Sequence, residues 1–295
     1  MNLPRIALVT AAAARDLDED LPPLTAALDG HADIRVVNWD DAAIDWSQFD
    51  IALLRSTWDY SMRLTEFLAW AERASRATQL CNALDIVRWN TDKHYLAQLA
   101  AAGVPIVPSV FLEPGDDALQ ALARFLDTHA AAEFVVKPAV GAGSRDAQRH
   151  HRDEHGAALE HAQRLLREQR SVLLQPYLER VDEHGETALI YFAGEFSHAI
   201  RKGPLLRRGE GATRALFAAE HITPRTPSTA ELDVATSTLA AMPFARPLLY
   251  ARVDLIHDAD GAPRVLELEL TEPSLFFAHA QGSAQRFAAA ILRAV

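Results

Sequence analysis

An α/β fold of two or three lobes is what this sequence predicts, and three observations carry the expectation. The N-terminal third alternates strand-like and helical runs, a second strand–helix region follows, and the chain ends near a hairpin dense in carboxylates. Residues 6–10, 34–38 and 51–55 are short and mostly apolar, so each reads as a strand. A helical spacing begins near Met62 and continues through Phe67 to Ala77. Just after the third strand comes RSTWDY, residues 55–60. Open α/β sheets bind ligands beyond the carboxyl ends of their strands, which makes Arg55, Thr57 and Trp58 candidate substrate contacts. A capped helix start with a packed tryptophan explains the same residues equally well. Thr91 can cap a helix over 92–102, which Gly103 and the extended VPIVP close. Next come a helix over 116–130, a strand over 134–137, a glycine-containing loop, a helix over 155–169 and a strand over 172–175. Two strand-like runs, TALIYF and EFSHAIRK, flank Ala193-Gly194. A helix near 229–241 leads to the hairpin, and a last helix over 284–293 carries an apolar face. The Gly- and Arg-rich segment 203–214 reads as a mobile loop.

The bulk composition narrows the functional classes. At 295 residues, with 49% apolar and 23% charged residues, the chain can bury a sizeable core. A net charge of −11 argues against a nucleic-acid surface, where a basic footprint is expected. The single cysteine, Cys81, excludes an internal disulfide and a cysteine zinc site, and fits a reducing cytoplasm. Arg5 with IALVTAAAA has some likeness to a secretion signal, but one basic residue and the acidic RDLDEDLPP behind it favour a buried first strand. No run approaches the length of a membrane span. The expectation is a cytoplasmic protein with neither nucleic-acid nor membrane partner. Its oligomeric state is left open, a homodimer included.

The hairpin holds the densest chemistry. ARVDLI, residues 251–256, and VLELEL, residues 265–270, are joined by the turn-like DADGAP. Side chains alternate faces along a strand, so Glu267 and Glu269 share a face, as do Arg252 and Asp254. Aligned, the hairpin brings Asp254, Glu267 and Glu269 to one patch. Converging carboxylates repel unless a cation sits between them, and hard oxygen ligands suit Mg²⁺, which also takes phosphate oxygens from substrates. That points to a Mg-nucleotide site. Ordinary antiparallel strands with charged solvent faces give the same pattern.

Phosphate-handling pieces lie upstream. In FVVKPAVGAGSRD a strand delivers Lys137, and Gly141, Gly143 and Ser144 follow in a loop of small residues. Backbone N–H groups there can approach phosphate oxygens closely. No Gly-Lys-Ser/Thr follows, so this is not a Walker loop, and a plain surface turn explains it equally well. Pro176 in QPYL marks a strand edge or hinge where a purine could bond to backbone, and Glu186 could reach ribose hydroxyls or be an exposed loop acid. His150, His151, His155 and His161 read as a solvated, charged helix start and not as a metal site.

In chain order the pieces are Lys93 at a helix start, VVKP, the GAGS loop, QPYL, Gly185-Glu186, Arg201-Lys202, ARVD and ELEL. That series resembles the ATP-grasp superfamily, glutathione synthetases and D-alanine–D-alanine ligases among them, over about residues 91–274. The resemblance implies an N-terminal α/β pre-grasp domain over 1–103, a central ATP-grasp lobe with a lid over 104–174, and a C-terminal lobe with the metal site over 175–295. Lys93 and Lys137 would hold ATP phosphates, with Gly141, Gly143 and Ser144 forming the lid. Gln175, Tyr177 and Leu178 would line the adenine pocket, and Glu186 would bind ribose. Asp254, Glu267 and Glu269 would hold two Mg²⁺ ions, with Mn²⁺ as an alternative. Many relatives carry Asn where Glu269 stands, so this chain adds a negative charge there. Arg252 matches the arginine that steadies an acyl-phosphate, Arg201 and Lys202 lie on the strand facing the reacting groups, and Glu272 and Ser274 are further substrate candidates.

The runs WNTDKHYLAQLAAAGVPIVPS, LLQPYLERVDEHGET, SHAIRKG and LELELTEPSL are similar to the cyclo-ligases of D-cycloserine biosynthesis. That likeness implies ATP-dependent cyclisation of O-ureido-D-serine, a small amino-acid-like substrate. The lid AVGAGSRD departs from the bulkier residues expected there. In the implied chemistry a substrate carboxylate takes the γ-phosphoryl group of ATP, and a nitrogen nucleophile then displaces phosphate. Two other readings are carried alongside: intermolecular carboxylate–amine ligation, and a nucleotide-binding sensor without turnover. Substrate-dependent ADP release separates the sensor from both ligases.

Overall fold

A computed structural model of the chain describes residues 3–209, 211, 221–245 and 247–295. The first sheet is parallel, with β1 (Arg5–Thr10), β2 (Asp33–Asn38), β3 (Ile51–Ser56) and β4 (Gln79–Cys81) in the order β2-β1-β3-β4. Its crossovers include α1 (Leu21–Leu28) and α2 (Leu64–Ala77). Period-two alternation splits the central strands between two cores. Ile6, Leu8, Ile51 and Leu53 face the α1 side, whereas Ala7, Val9, Ala52 and Leu54 face α2 and the Trp39, Phe67 and Trp70 rings. Past the sheet come α3 (Leu84–Asn90) and α4 (Tyr95–Ala101).

The second sheet is antiparallel. It orders β5 (Val110–Leu112), β6 (Glu133–Pro138), β7 (Gln148–His151) and β8 (Val172–Pro176) as β5-β8-β6-β7. α5 (Ala118–Thr128) and α6 (His155–Arg167) pack on it, α5 capped by Asp117, which accepts from the Gln120 N–H at 3.1 Å.

After the short α7 (Val181–His184), the third sheet runs β11-β10-β9-β12-β13, all antiparallel. Its strands are β9 (Glu186–Phe192), β10 (Glu195–Lys202), β11 (Ile222–Arg225), β12 (Tyr250–His257) and β13 (Pro263–Glu269). α8 (Thr229–Ala240) starts with a reciprocal capping box between Ser228 and Glu231. α9 (Ser283–Ala294) returns to α1, so one core joins Ile6 and Leu24 to Ile190, Tyr250, Phe287 and Cys81. No helix among the described residues is long and apolar enough to cross a membrane.

Several expectations change. The helix over 92–102 begins at Tyr95, and Thr91 instead closes α3, its hydroxyl donating to Arg88 O at 3.4 Å. A 3₁₀ turn, Trp58–Met62, precedes α2. β4 and β5 are three residues each, β7 is polar, and β11 carries Pro224 on a sheet edge, so none shows a strand-like run. His150 and His161 are core residues, not solvated ones: they are 2% and 7% exposed, with ring nitrogens 3.3 Å apart. Burial pulls His161 down to about 4, which favours the neutral ring. Of the segment 203–214, residues 210 and 212–214 lie outside the described residues.

Candidate active site

One cleft lies between the second and third sheets and reaches the carboxyl edge of the first. The hairpin register sets Arg252 opposite Glu269 and Asp254 opposite Glu267, so the four expected charges do meet. A bulge beyond Asp254 leaves Leu266 without a cross-strand partner, and Leu266 joins the cleft wall. Each of the three carboxylates finds a cation of the protein. Arg252 grips Asp254 with Nε on Oδ1 and Nη2 on Oδ2, both at 2.8 Å, and also pairs with Glu269. Lys202 donates to Asp254 Oδ2 at 2.8 Å and pairs with Glu186. Lys93 meets Glu267 Oε1 at 2.8 Å.

These pairs divide the carboxylates electrostatically. Desolvation opposes the charge on Asp254, but Arg252 and Lys202 outweigh it and hold the group well below the usual carboxylate range. Glu267 is likewise desolvated, yet Lys93 and Lys137 keep it low. At Glu269 desolvation wins, with Asp254 and Glu267 adding to it against Arg252, and the group rises to about 7. Desolvation and then Glu269 push Glu272 up to about 8, and among the described residues Glu272 pairs with no cation.

The metal expectation changes accordingly. Among the described residues no group of three or more His, Cys, Asp or Glu converges as a ligand set. Glu267 and Glu269 face the cleft, whereas Asp254 is 1% exposed, lies outside the cleft wall and has both oxygens on Arg252 and Lys202. Two cleft-facing carboxylates fit Mg²⁺, which commonly takes one or two carboxylates and completes its shell with phosphate oxygens and water. Here Asp254 fixes the cations beside them.

The two lysines expected to hold phosphate differ from each other. Lys137, near the end of β6, makes no ion pair among the described residues, and desolvation pulls its ammonium down to about 8. Lys93 is also desolvated, but Glu267 more than offsets this and raises it. Lys93 Nζ also donates to Gly141 O at 3.0 Å, tying it to the loop after β6. That loop turns through left-handed backbone at Gly143 (φ +60°), Ser144 (+59°) and Asp146 (+58°). It is fastened at both ends. Val140 and Ala142 pack on the first sheet's α2-side core, and Asp146 accepts from Arg164 at 3.2 Å and Arg170 at 2.7 Å.

Gln175, Tyr177 and Leu178 line the far end of the cleft. The Gln175 amide donates to Ser109 Oγ at 2.9 Å, and Tyr177 carries the Arg149 guanidinium 3.6 Å from its ring centre. Glu186 and Lys202 are cross-strand partners on β9 and β10. Gly185, at φ +70°, permits that pairing, since a Cβ there would lie 2.4 Å from Lys202 O.

The first sheet supplies the remaining wall. Trp58 lines the cleft, and its indole N–H donates to Glu272 O at 3.2 Å. Glu272, Ser274 and Tyr60 line it too. Tyr60 was not singled out by the sequence, although it closes the same RSTWDY run. Arg55 and Thr57 do not reach the cleft, because both side chains turn into the protein and are fully buried. Nor does Arg201. It alternates with Lys202 along β10 and donates to the main-chain oxygens of His184 (2.7 Å) and Glu183 (2.9 Å).

Comparison with known proteins agrees with this architecture. The family described as D-cycloserine synthetase DcsG, N-terminal domain, matches residues 6–82. The cycloserine biosynthesis protein DcsG of Streptomyces lavendulae is 43% identical over 292 residues, 97% of each chain. The crystal structure of D-cycloserine synthetase DcsG aligns with a TM-score of 0.92 at 42% identity, covering 98% of this chain and 99% of that one. D-alanine–D-alanine ligase from Bacillus anthracis aligns at 0.68 with 18% identity over 98% and 96% of the two chains, a likeness of fold alone. The ATP-grasp ligase PsnB does so at 0.66 with 18% identity over 100% of both. Fold, cleft and a match over nearly the whole chain agree: the chain belongs to the D-cycloserine synthetase family and has the fold of the ATP-grasp ligases.

Proposed function

We propose that this ligase uses ATP and Mg²⁺ to cyclise O-ureido-D-serine to D-cycloserine. The observation that carries the chemistry is the ring of Lys93, Lys137, Lys202 and Arg252 in and behind one cleft wall with Glu267 and Glu269. The identity to the cycloserine biosynthesis protein supports the substrate. Lys93 and Lys137 would hold the triphosphate beneath the Gly141, Gly143 and Ser144 loop, with the base against Gln175, Tyr177 and Leu178 and the ribose near Glu186. Glu267 and Glu269 would hold Mg²⁺, which when bound would neutralise phosphate charge, with Mn²⁺ as an alternative. One ion or two is read from a metal titration.

The substrate carboxylate attacks the γ-phosphorus, and the bond to the ADP oxygen breaks. Lys202 and Arg252 then steady the charge on the acyl-phosphate. The ureido nitrogen bonded to oxygen attacks the acyl carbon and gives up its proton to water, inorganic phosphate departs with the bonding pair, and hydrolysis of the N-carbamoyl bond then releases carbamate, which breaks down to CO2 and ammonia. Trp58, Glu272 and Ser274 would orient the substrate for this closure. The reading requires a small-molecule substrate and a cytoplasmic setting, and it leaves a homodimer to light scattering. The test is ADP release with MgATP and O-ureido-D-serine, with mass detection of product. ADP and cycloserine in equal amounts are expected. Turnover that needs an added amine would move the chemistry to intermolecular ligation, and ATP binding without any ADP release would overturn the reading.

A further inference from the structure

Glu272 and Ser274 reach the cleft from the stretch 271–277 that follows β13, irregular through Phe276 and entering a 3₁₀ turn, Phe277–His279. Its backbone is demanding: Phe276 sits at φ +53°, where a bulky aromatic persists only if its surroundings hold it. Those surroundings come largely from the first sheet. Asp20 occupies the N-cap of α1, where an aspartate ordinarily accepts from the first amides of its own helix. Here it makes no such bond. Its carboxylate instead accepts from three main-chain amides more than 250 residues away, those of Leu275 at 2.5 Å, Phe276 at 3.1 Å and Phe277 at 2.9 Å.

Arg55 closes the other side. Its Nη2 lies 3.6 Å from Asp20 Oδ2 and 4.0 Å from Asp18 Oδ1, and donates to Pro273 O at 3.3 Å. The flanking grips are also to main chain: Tyr250 Oη donates to Thr271 O at 2.8 Å and Arg252 Nη1 to Ser274 O at 3.1 Å. Because the backbone is what is held, the Glu272 and Ser274 side chains stay available to the cleft. The cost is large, since a desolvated charge pair and a forgone helix cap serve one loop.

We propose that Asp20 and Arg55 are positioning residues: they latch the 271–277 segment to the first sheet and so set where Glu272 and Ser274 meet an amino-acid substrate. This rests on the cleft reading given above and adds to it the residues that build its substrate side.

The test uses the full-length enzyme and two readouts. Amide hydrogen exchange at 275–277 reports the latch whatever the substrate is. Steady-state kinetics with O-ureido-D-serine, together with MgATP binding, report the consequence. Asp20→Asn keeps the shape and one acceptor oxygen but removes the charge, and Arg55→Lys keeps the charge on a shorter side chain that does not reach the place of Nη2, the nitrogen that makes the contacts. Both are expected to speed exchange at 275–277 by about tenfold or more, with β1 and β3 amides unchanged, as the loss of hydrogen bonds to a charged group implies. KM is expected to rise about tenfold while kcat stays within about threefold and ATP affinity holds. Glu272→Gln, by contrast, should raise KM without altering exchange. Unchanged exchange overturns the latch, and faster exchange with unchanged KM and kcat overturns the positioning role. An equal loss of ATP affinity marks general loosening and overturns it as well. If the wild type does not turn over O-ureido-D-serine, the proposed function falls, and the exchange result alone decides the latch.

Discussion

Arg252 and Arg55 invite comparison. Both are buried arginines, 5% and 1% exposed, both stand beside aspartates, and both donate to neighbouring oxygens of one loop, Ser274 O and Pro273 O. Arg252 also faces the cleft and shares Glu269, so its charge is available to a ligand. Arg55 is sealed from the cleft, and its Nε and Nη1 find no partner among the described residues. A buried guanidinium is therefore not in itself the mark of a reaction site. What it faces decides: the hairpin side handles charge, and the edge of the first sheet handles position.

The division can be broken from either side. The largest effect is expected at the hairpin, where Glu267→Gln should lower turnover by about 100-fold or more while the melting temperature stays close to wild type. Retained activity with ordinary Mg²⁺ dependence would remove Glu267 from the metal site. Next in size, Lys137→Ala should weaken ATP binding about 10–100-fold by calorimetry, the worth of a charge-assisted phosphate contact. A pH series sharpens this. Lys137, pulled down to about 8, is charged below that pH and neutral above it, so ATP affinity should fall as pH rises from 7 to 9, by about tenfold at most. Lys137→Arg should flatten that slope, since a guanidinium stays charged. Smallest for function is Thr10→Val. Thr10 and Ser56 share a buried hydroxyl contact at 2.7 Å, so the variant should lose about 1–3 kcal/mol of stability yet bind ATP normally. A matching loss of ATP affinity would show that the first sheet does more than hold position.

What could be read from the sequence follows the same division. The alternation in ARVDLI and VLELEL gave Glu267 and Glu269 one face and Arg252 and Asp254 another, because period two is a local property, whereas their meeting rests on the hairpin register. Lys137 at a strand end was legible because a strand run is local, whereas Gly185 entered only as part of the family resemblance. Arg201 and Lys202 could not both face the cleft, but which one does depends on pairing with β9, which spacing does not report. Asp20 was one acid among several in RDLDEDLPP, and only the return of residues 275–277 makes it special. Arg55 was noticed for its position after a strand, yet its partners lie far away in sequence. His150 and His161 misled because two histidines that meet only through folding are indistinguishable from solvated ones in a polar run.

The return of α9 to the first sheet bears on how the chain is made. Ile6, Leu8 and Leu24 share their core with Phe287, Ile291 and the β9 and β12 side chains. One face of the first sheet is therefore covered only in part, by α1, until α9 has been made about two hundred residues after β4. Truncation within α9 should lower yield through aggregation during synthesis well before it touches the chemistry of the cleft.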